Sequence, residues 1–206
     1  MKVITVPTGP IMANCYILYD ENTLEAAVID PGSFDREVKK AVEGLNVRYI
    51  LLTHGHFDHI LGAGDLQKAT GAEILIHRLD EECLTSSQAN LGSAFAGTGE
   101  ICLKADRLLD EGDRISFGNT ELTVMHTPGH SRGSVVFLNE KERSLFTGDT
   151  LFAGGFGRTD FYRSNPADMK MSLRRLMSLE GNYRVFPGHD RATFLDDERD
   201  FLRCIL

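Results

Sequence analysis

Thr53-His54-Gly55-His56-Phe57-Asp58-His59 packs three histidines and a carboxylate into seven residues, and no other stretch says as much about the fold. Neutral imidazole and carboxylate are the donors that Zn²⁺ and its first-row neighbours favour. The apolar run Tyr49-Ile50-Leu51-Leu52 comes just before it and reads as a buried strand. The cluster therefore stands where a strand ends.

Further donors lie far along the chain, each at the end of a strand-like run. His130 in Thr127-Pro128-Gly129-His130 follows the alternating Leu122-Thr123-Val124-Met125, and Asp149 in Thr147-Gly148-Asp149-Thr150 follows Ser144-Leu145-Phe146. His189 in Phe186-Pro187-Gly188-His189 follows Tyr183-Arg184-Val185. A glycine stands directly before each of these donors, where the chain must turn sharply at a sheet edge. Four such strand ends on one rim would make a cage.

In this order the His54–His59 run, His130, Asp149 and His189 resemble the ligands of the metallo-β-lactamase-fold hydrolases. Asp30 in Val28-Ile29-Asp30-Pro31-Gly32 matches an acid that the family sets behind those ligands. The resemblance covers essentially the whole chain. It implies an α/β fold, a four-layer αββα sandwich of two βα halves with the site along one edge, and a single domain over residues 1–206. Within the superfamily, Gly148-Asp149-Thr150-Leu151-Phe152 and Gly157-Arg158-Thr159-Asp160-Phe161 look most like the glyoxalase II branch of hydroxyacylglutathione hydrolases and the related persulfide dioxygenases. The best-known zinc β-lactamases carry Cys where this chain has Asp149, and flavo-diiron proteins carry Glu in place of His56.

By the family's pattern, His54, His56 and His130 hold one divalent metal, Asp58, His59 and His189 hold a second, and Asp149 bridges the two. Zn²⁺ is the expected ion, with Fe or Mn as alternatives. The implied reaction is hydrolysis of a small thioester by a metal-bridging hydroxide. Asp58 is then the catalytic residue that orients the water or takes its proton, while Thr53 and Thr150 support the ligands or the backbone. Arg158 matches a basic residue near the substrate carboxylate, with a pairing to Asp160 as the plainer reading. The alternatives are a mononuclear iron persulfide dioxygenase using His54, His130 and Asp149, or another hydrolase of the fold such as a lactonase or phosphodiesterase. Glyoxalase II proper has a helical region after its last ligand, where this chain has only Asp190 to Leu206, and Asp160 replaces an aromatic of the glutathione-specific members. Both departures point away from glutathione. His77 and His126 read as non-ligands.

Composition fits a small-molecule enzyme. The formal net charge of −8 is unsuited to wrapping a polyanion, which excludes nucleic acid as the expected partner. No run approaches the ~18 apolar residues of a membrane span, and the Met1-Lys2-Val3-Ile4 start lacks a leader-like apolar stretch. The expectation is a cytoplasmic chain that does not engage membranes. Cys15, Cys83, Cys102 and Cys204 form no Cys-x-x-Cys pair and read as small buried thiols.

Strands are expected at Val3–Val6, Cys15–Leu18, Ala26–Ile29, Tyr49–Leu52 and Ile74–Ile76. Helices are expected at Phe34–Val42 behind a Ser33 cap, at Leu61–Ala69, after Asn165-Pro166, and around Glu198–Leu202. The Gly- and Ser-rich stretch from Glu82 to Leu103 has no clear period and reads as either a mobile loop or a lid.

Overall fold

The computed structural model describes residues 1–94 and 101–206. The first half builds one sheet from β1 (Lys2–Thr8), β2 (Ala13–Tyr19), β3 (Glu25–Ile29), β4 (Asn46–Leu52), β5 (Glu73–His77) and β6 (Arg107–Leu109), paired in chain order. The pairs up to β3 are antiparallel and those beyond it parallel. The second half builds another from β7 (Arg114–Phe117), β8 (Thr120–His126), β9 (Val135–Asn139), β10 (Ser144–Gly148), β11 (Arg184–Pro187) and β12 (Thr193–Phe194). Among its paired neighbours in the described residues, β10 with β11 is the one parallel pair.

Strand periodicity sorts the apolar residues into three interfaces, because successive side chains point to opposite faces. On β2, Tyr16 and Leu18 face inward with Ile29, Leu51 and Leu75, against Val124, Phe137 and Phe146 of the other sheet. Cys15 and Ile17 face outward with Val28, Ile50 and Ile74, beneath α1 (Arg36–Val42), α2 (Phe57–Ile60) and α3 (Ala63–Thr70). On the far side Met125, Val136, Leu138 and Leu145 meet α4 (Pro166–Met177) and α5 (Leu195–Ile205). Three apolar interfaces separate four layers, so the chain is the αββα sandwich that the resemblance implied.

This topology brings the donor-bearing strand ends to one edge. β3 and β4 are parallel, as are β10 and β11, and β8 runs in the direction of β10 because two antiparallel pairings separate them. Two backbone–backbone hydrogen bonds join the sheets there among the described residues, from Asn14 N–H to the Gly188 carbonyl (2.7 Å) and from Val135 N–H to the Thr53 carbonyl (2.8 Å).

Some expected details differ. The cap of α1 is Asp35, whose carboxylate accepts from the Glu37 and Val38 N–H groups, while Ser33 donates to Asp35. The helix expected over Leu61–Ala69 is α3, which begins at Ala63, and a separate short helix, α2, precedes it within the donor run. Between them the Gly62 N–H turns away to the Pro31 carbonyl, and a Cβ on Gly62 would come within 2.3 Å of Ser33. Cys15 and Cys83 are buried as expected, but Cys102 and Cys204 are exposed. Cys204 lies off the face of α5 that Leu195, Glu198 and Leu202 bury. Of the expected loop or lid, Arg78–Leu84 and Gly92–Ala94 are 3-10 turns, and residues 95–100 lie outside the described residues. Among the described residues no helix is long and apolar enough to cross a membrane.

Candidate metal centre

Asp30 ends β3 in a left-handed backbone conformation (φ 50°) and aims its carboxylate at the end of β4. It accepts from the Thr53 N–H (2.7 Å), the Thr53 hydroxyl (2.6 Å) and His59 Nδ1–H (3.0 Å). Having given its hydrogen to Asp30, the Thr53 hydroxyl accepts from His54 Nδ1–H at 3.1 Å. His130 Nδ1–H donates to the Arg158 carbonyl at 2.9 Å. This network fixes the tautomer of three rings, and in each the Nε2 lone pair is left for the interior.

The structure brings all seven sequence-predicted donors together. The donor atoms of His54, His56 and His130 lie within 4.8 Å of one another, and so do those of Asp58, His59 and His189. Asp149 reaches both groups: Oδ1 is 3.4 Å from His59 Nε2, and Oδ2 is 3.3 Å from His130 Nε2 and 3.7 Å from His189 Nε2. Asp58 Oδ2 stands 3.2 Å from both His59 Nε2 and His189 Nε2, and His56 Nδ1 is 2.8 Å from His130 Nε2. Gly188 permits this closeness, since a Cβ there would come within 2.2 Å of Asp149 Oδ1.

The donor set fits metal ions. His54 Nε2, His59 Nε2 and Asp149 Oδ1 are buried with no hydrogen-bond partner, a costly state that a cation between them relieves. Burial first, and then the neighbouring imidazoles, hold His54 and His56 well below the ordinary histidine range, so both stand ready as neutral donors. Burial also disfavours charge on Asp58 and His59. There it is outweighed: His59 and His189 hold Asp58 well below the carboxylate range, and Asp58, Asp149 and Asp30 push His59 up. That half of the cluster demands positive charge, which a proton or a metal can supply.

Beside the donors is a cavity of about 300 Å³ whose apolar lining includes Ile11, Leu91, Phe152, Phe156 and Phe161. Arg158 stands on its wall. The guanidinium lies over the Phe161 ring at 4.5 Å and pairs with both oxygens of Asp160, at 2.7 and 2.9 Å. Thr150 bonds to Thr127 (2.9 Å) and touches no donor ring among its hydrogen-bond partners, in keeping with a structural role. His126 stacks on His77 with centroids 4.1 Å apart and donates to the Arg132 carbonyl, so neither joins the cluster.

Sequence reading missed Asp80, a buried carboxylate that touches the loops on either side of the centre. Within Arg78-Leu79-Asp80-Glu81-Glu82 nothing distinguishes it from solvated neighbours. The apolar cavity wall was missed as well, because its residues come from separate loops with no shared spacing.

A family model described as the metallo-beta-lactamase superfamily matches residues 8–189. The hydroxyacylglutathione hydrolase GloC of Haemophilus influenzae is 30% identical over 97% of this chain and 95% of its own length. Among solved structures, the BLEG-1 B3 metallo-beta-lactamase superposes with a TM-score of 0.88 at 32% identity, covering 97% of each chain. TTHA1623 in a di-iron-bound form gives 0.85 at 34%, covering 95% of this chain and 96% of the other. ETHE1 from Myxococcus xanthus gives 0.78 at 28%, covering 98% and 83%.

Proposed function

The chain belongs to the metallo-beta-lactamase superfamily, and from that premise we propose that it is a binuclear metal-dependent hydrolase of a small thioester. The observation that carries this reading is the pair of adjoining donor groups with Asp149 in reach of both, and with unpartnered buried atoms aimed between them. In it, His54, His56 and His130 would hold one ion and Asp58, His59 and His189 the other, with Asp149 in reach of both. Zn²⁺ is the ion we expect, with Fe or Mn as substitutes. When bound, the two ions supply an activated water as nucleophile and a Lewis acid for the acyl oxygen.

The chain's own residues do the rest. Asp58 would hold the second ion through the oxygen that faces His59 and His189, which leaves its other oxygen to orient the water and take its proton. Asp30 and Thr53 lock the His59 and His54 rings. Phe152, Phe156 and Phe161 cover the acyl group and keep bulk water from the reacting carbon. Arg158 holds a substrate carboxylate when one is present, in competition with Asp160. The named hydrolase from Haemophilus influenzae supports a thioester as the substrate class.

Elemental analysis of chain purified without chelator should give two metal ions per chain, and S-lactoylglutathione should be hydrolysed. One ion or none after reconstitution would overturn the binuclear reading. Arg158→Ala should raise KM for S-lactoylglutathione and leave a neutral acyl thioester little changed. An equal loss on both substrates would make Arg158 architectural. The likeness to ETHE1 also fits a mononuclear iron persulfide dioxygenase. Oxygen uptake on a persulfide, with one iron per chain, would favour that reading instead.

A further inference from the structure

We propose that Asp80 is a positioning residue whose carboxylate holds the His54–His56 loop and the His130 loop at the spacing that lets their imidazoles converge. The inference rests on the reading above, in which those three imidazoles hold one metal ion.

Asp80 lies in the 3-10 segment that follows β5 and is 2% exposed. Its Oδ2 accepts from the Gly55 N–H (3.0 Å) and from the Ser131 hydroxyl (2.6 Å), and its Oδ1 accepts from the Gly133 N–H (2.7 Å). Gly55 stands between His54 and His56, and Ser131 directly follows His130. The first loop hangs from the β4 end of one sheet and the second from the β8 end of the other. One carboxylate thus ties two loops that no covalent neighbour joins.

The packing says the same independently. A Cβ on Gly55 would meet the Cys83 Cβ at 2.2 Å, and one on Gly133 would meet the Asp80 backbone nitrogen at 2.7 Å. Both glycines are needed so that the Arg78–Leu84 segment can seat directly on the two loops. Asp80 has no ion-pair partner among the described residues; burial holds its pKa above the usual carboxylate value, opposed by these three donors and by nearby His130. Burying a carboxylate without a cation is costly, and an apolar residue would fill the same space. What a carboxylate adds is a fixed geometry at two backbone N–H groups and one hydroxyl. Its reach is also one-sided. Asp30, not Asp80, braces His59, and no Asp80 contact touches Asp58 or His189.

Asp80→Asn keeps the volume but not the pattern. Each oxygen accepts from a backbone N–H, so either orientation of the amide opposes a donor to a donor. Full-length wild type and variant are titrated with Zn²⁺ against a chromophoric chelator. Wild type should take two ions. In Asp80→Asn the affinity for one ion should fall by about 10–100-fold and the other should stay within about threefold. The retained ion should be the one that His189→Ala removes. If Asp80→Asn does not fold, Ser131→Ala, which deletes one arm, should weaken the same ion by a smaller factor. Two ions at wild-type affinity in the variant that folds would overturn the inference. So would an equal weakening of both, the mark of a general structural role. A wild type that takes up no ion would overturn the reading of the centre itself, and this inference with it.

Discussion

At the scale of the residue, the centre is built by committing the outer nitrogen of three of its five imidazoles to an oxygen acceptor and turning the other nitrogen inward. Asp30, the Thr53 hydroxyl and the Arg158 carbonyl take the outer nitrogens of His59, His54 and His130. Asp58 is the group in this cluster that we assign to proton transfer, so Asp58→Ala should lower kcat on a thioester by about 10²–10⁴-fold. Near wild-type turnover at full metal loading would remove Asp58 from that role. His77 offers a test away from the centre. Burial, and then the stacked His126, bring it down from the ordinary 6.5 to about 4. Below pH 6.5 the unfolded chain binds a proton at this position that the folded chain refuses. Stability should therefore fall as the pH drops from 6.5 towards 4 and be level in this respect above 6.5. Urea unfolding across that range should show a shallower acid decline for His77→Gln than for wild type. The seven donors were legible in the sequence because each follows a strand-like run and most stand beside a glycine. Asp80 was not, because what distinguishes it is its tertiary burial, and an acid at the head of an Asp-Glu-Glu run carries no trace of that.

At the scale of the element, strands and long capped helices were readable and short irregular pieces were not. Apolar runs revealed β2, β3 and β4, alternation revealed β8, and Asn165-Pro166 announced α4. The Asn165 side chain accepts from the Ala167 and Asp168 N–H groups, and its backbone N–H donates to the Gly129 carbonyl at 2.7 Å. The cap therefore also anchors the turn that leads into His130. Asn165→Ala should cost about 1 kcal/mol of stability, measured by chemical denaturation, with a loss of metal affinity smaller than for any donor substitution. The short α2 was hidden because it is a single turn inside the donor run, and the Gly62 contact with the Pro31–Ser33 turn sets it apart from α3. Helix α1 begins at Asp35 rather than at Ser33 for a related reason. Both residues can cap, and the choice between them is made by which carboxylate or hydroxyl the chain's path brings over the free N–H groups.

At the scale of the whole molecule, the donors come from both sheets: His54 to His59 follow β4, while His130, Asp149 and His189 follow β8, β10 and β11. Ions held there bind the folded chain and have no assembled site in the unfolded one. Each should therefore add about 2.7 kcal/mol when present at a hundredfold over its Kd. Thermal scans with and without a chelator should show the melting temperature rising with Zn²⁺ concentration, and no rise would mean that the donors do not act together in the folded chain. The layer order was legible only through family likeness, since periodicity alone yields mixed strands and helices without saying which sheet each joins. The four strand ends have a mechanical consequence. The sandwich is like a book whose pages meet over a greasy interior and whose clasp would be the candidate metal centre on one edge. Amide exchange in the inter-sheet interior, around Phe137 and Phe146, should thus slow when the clasp is fastened.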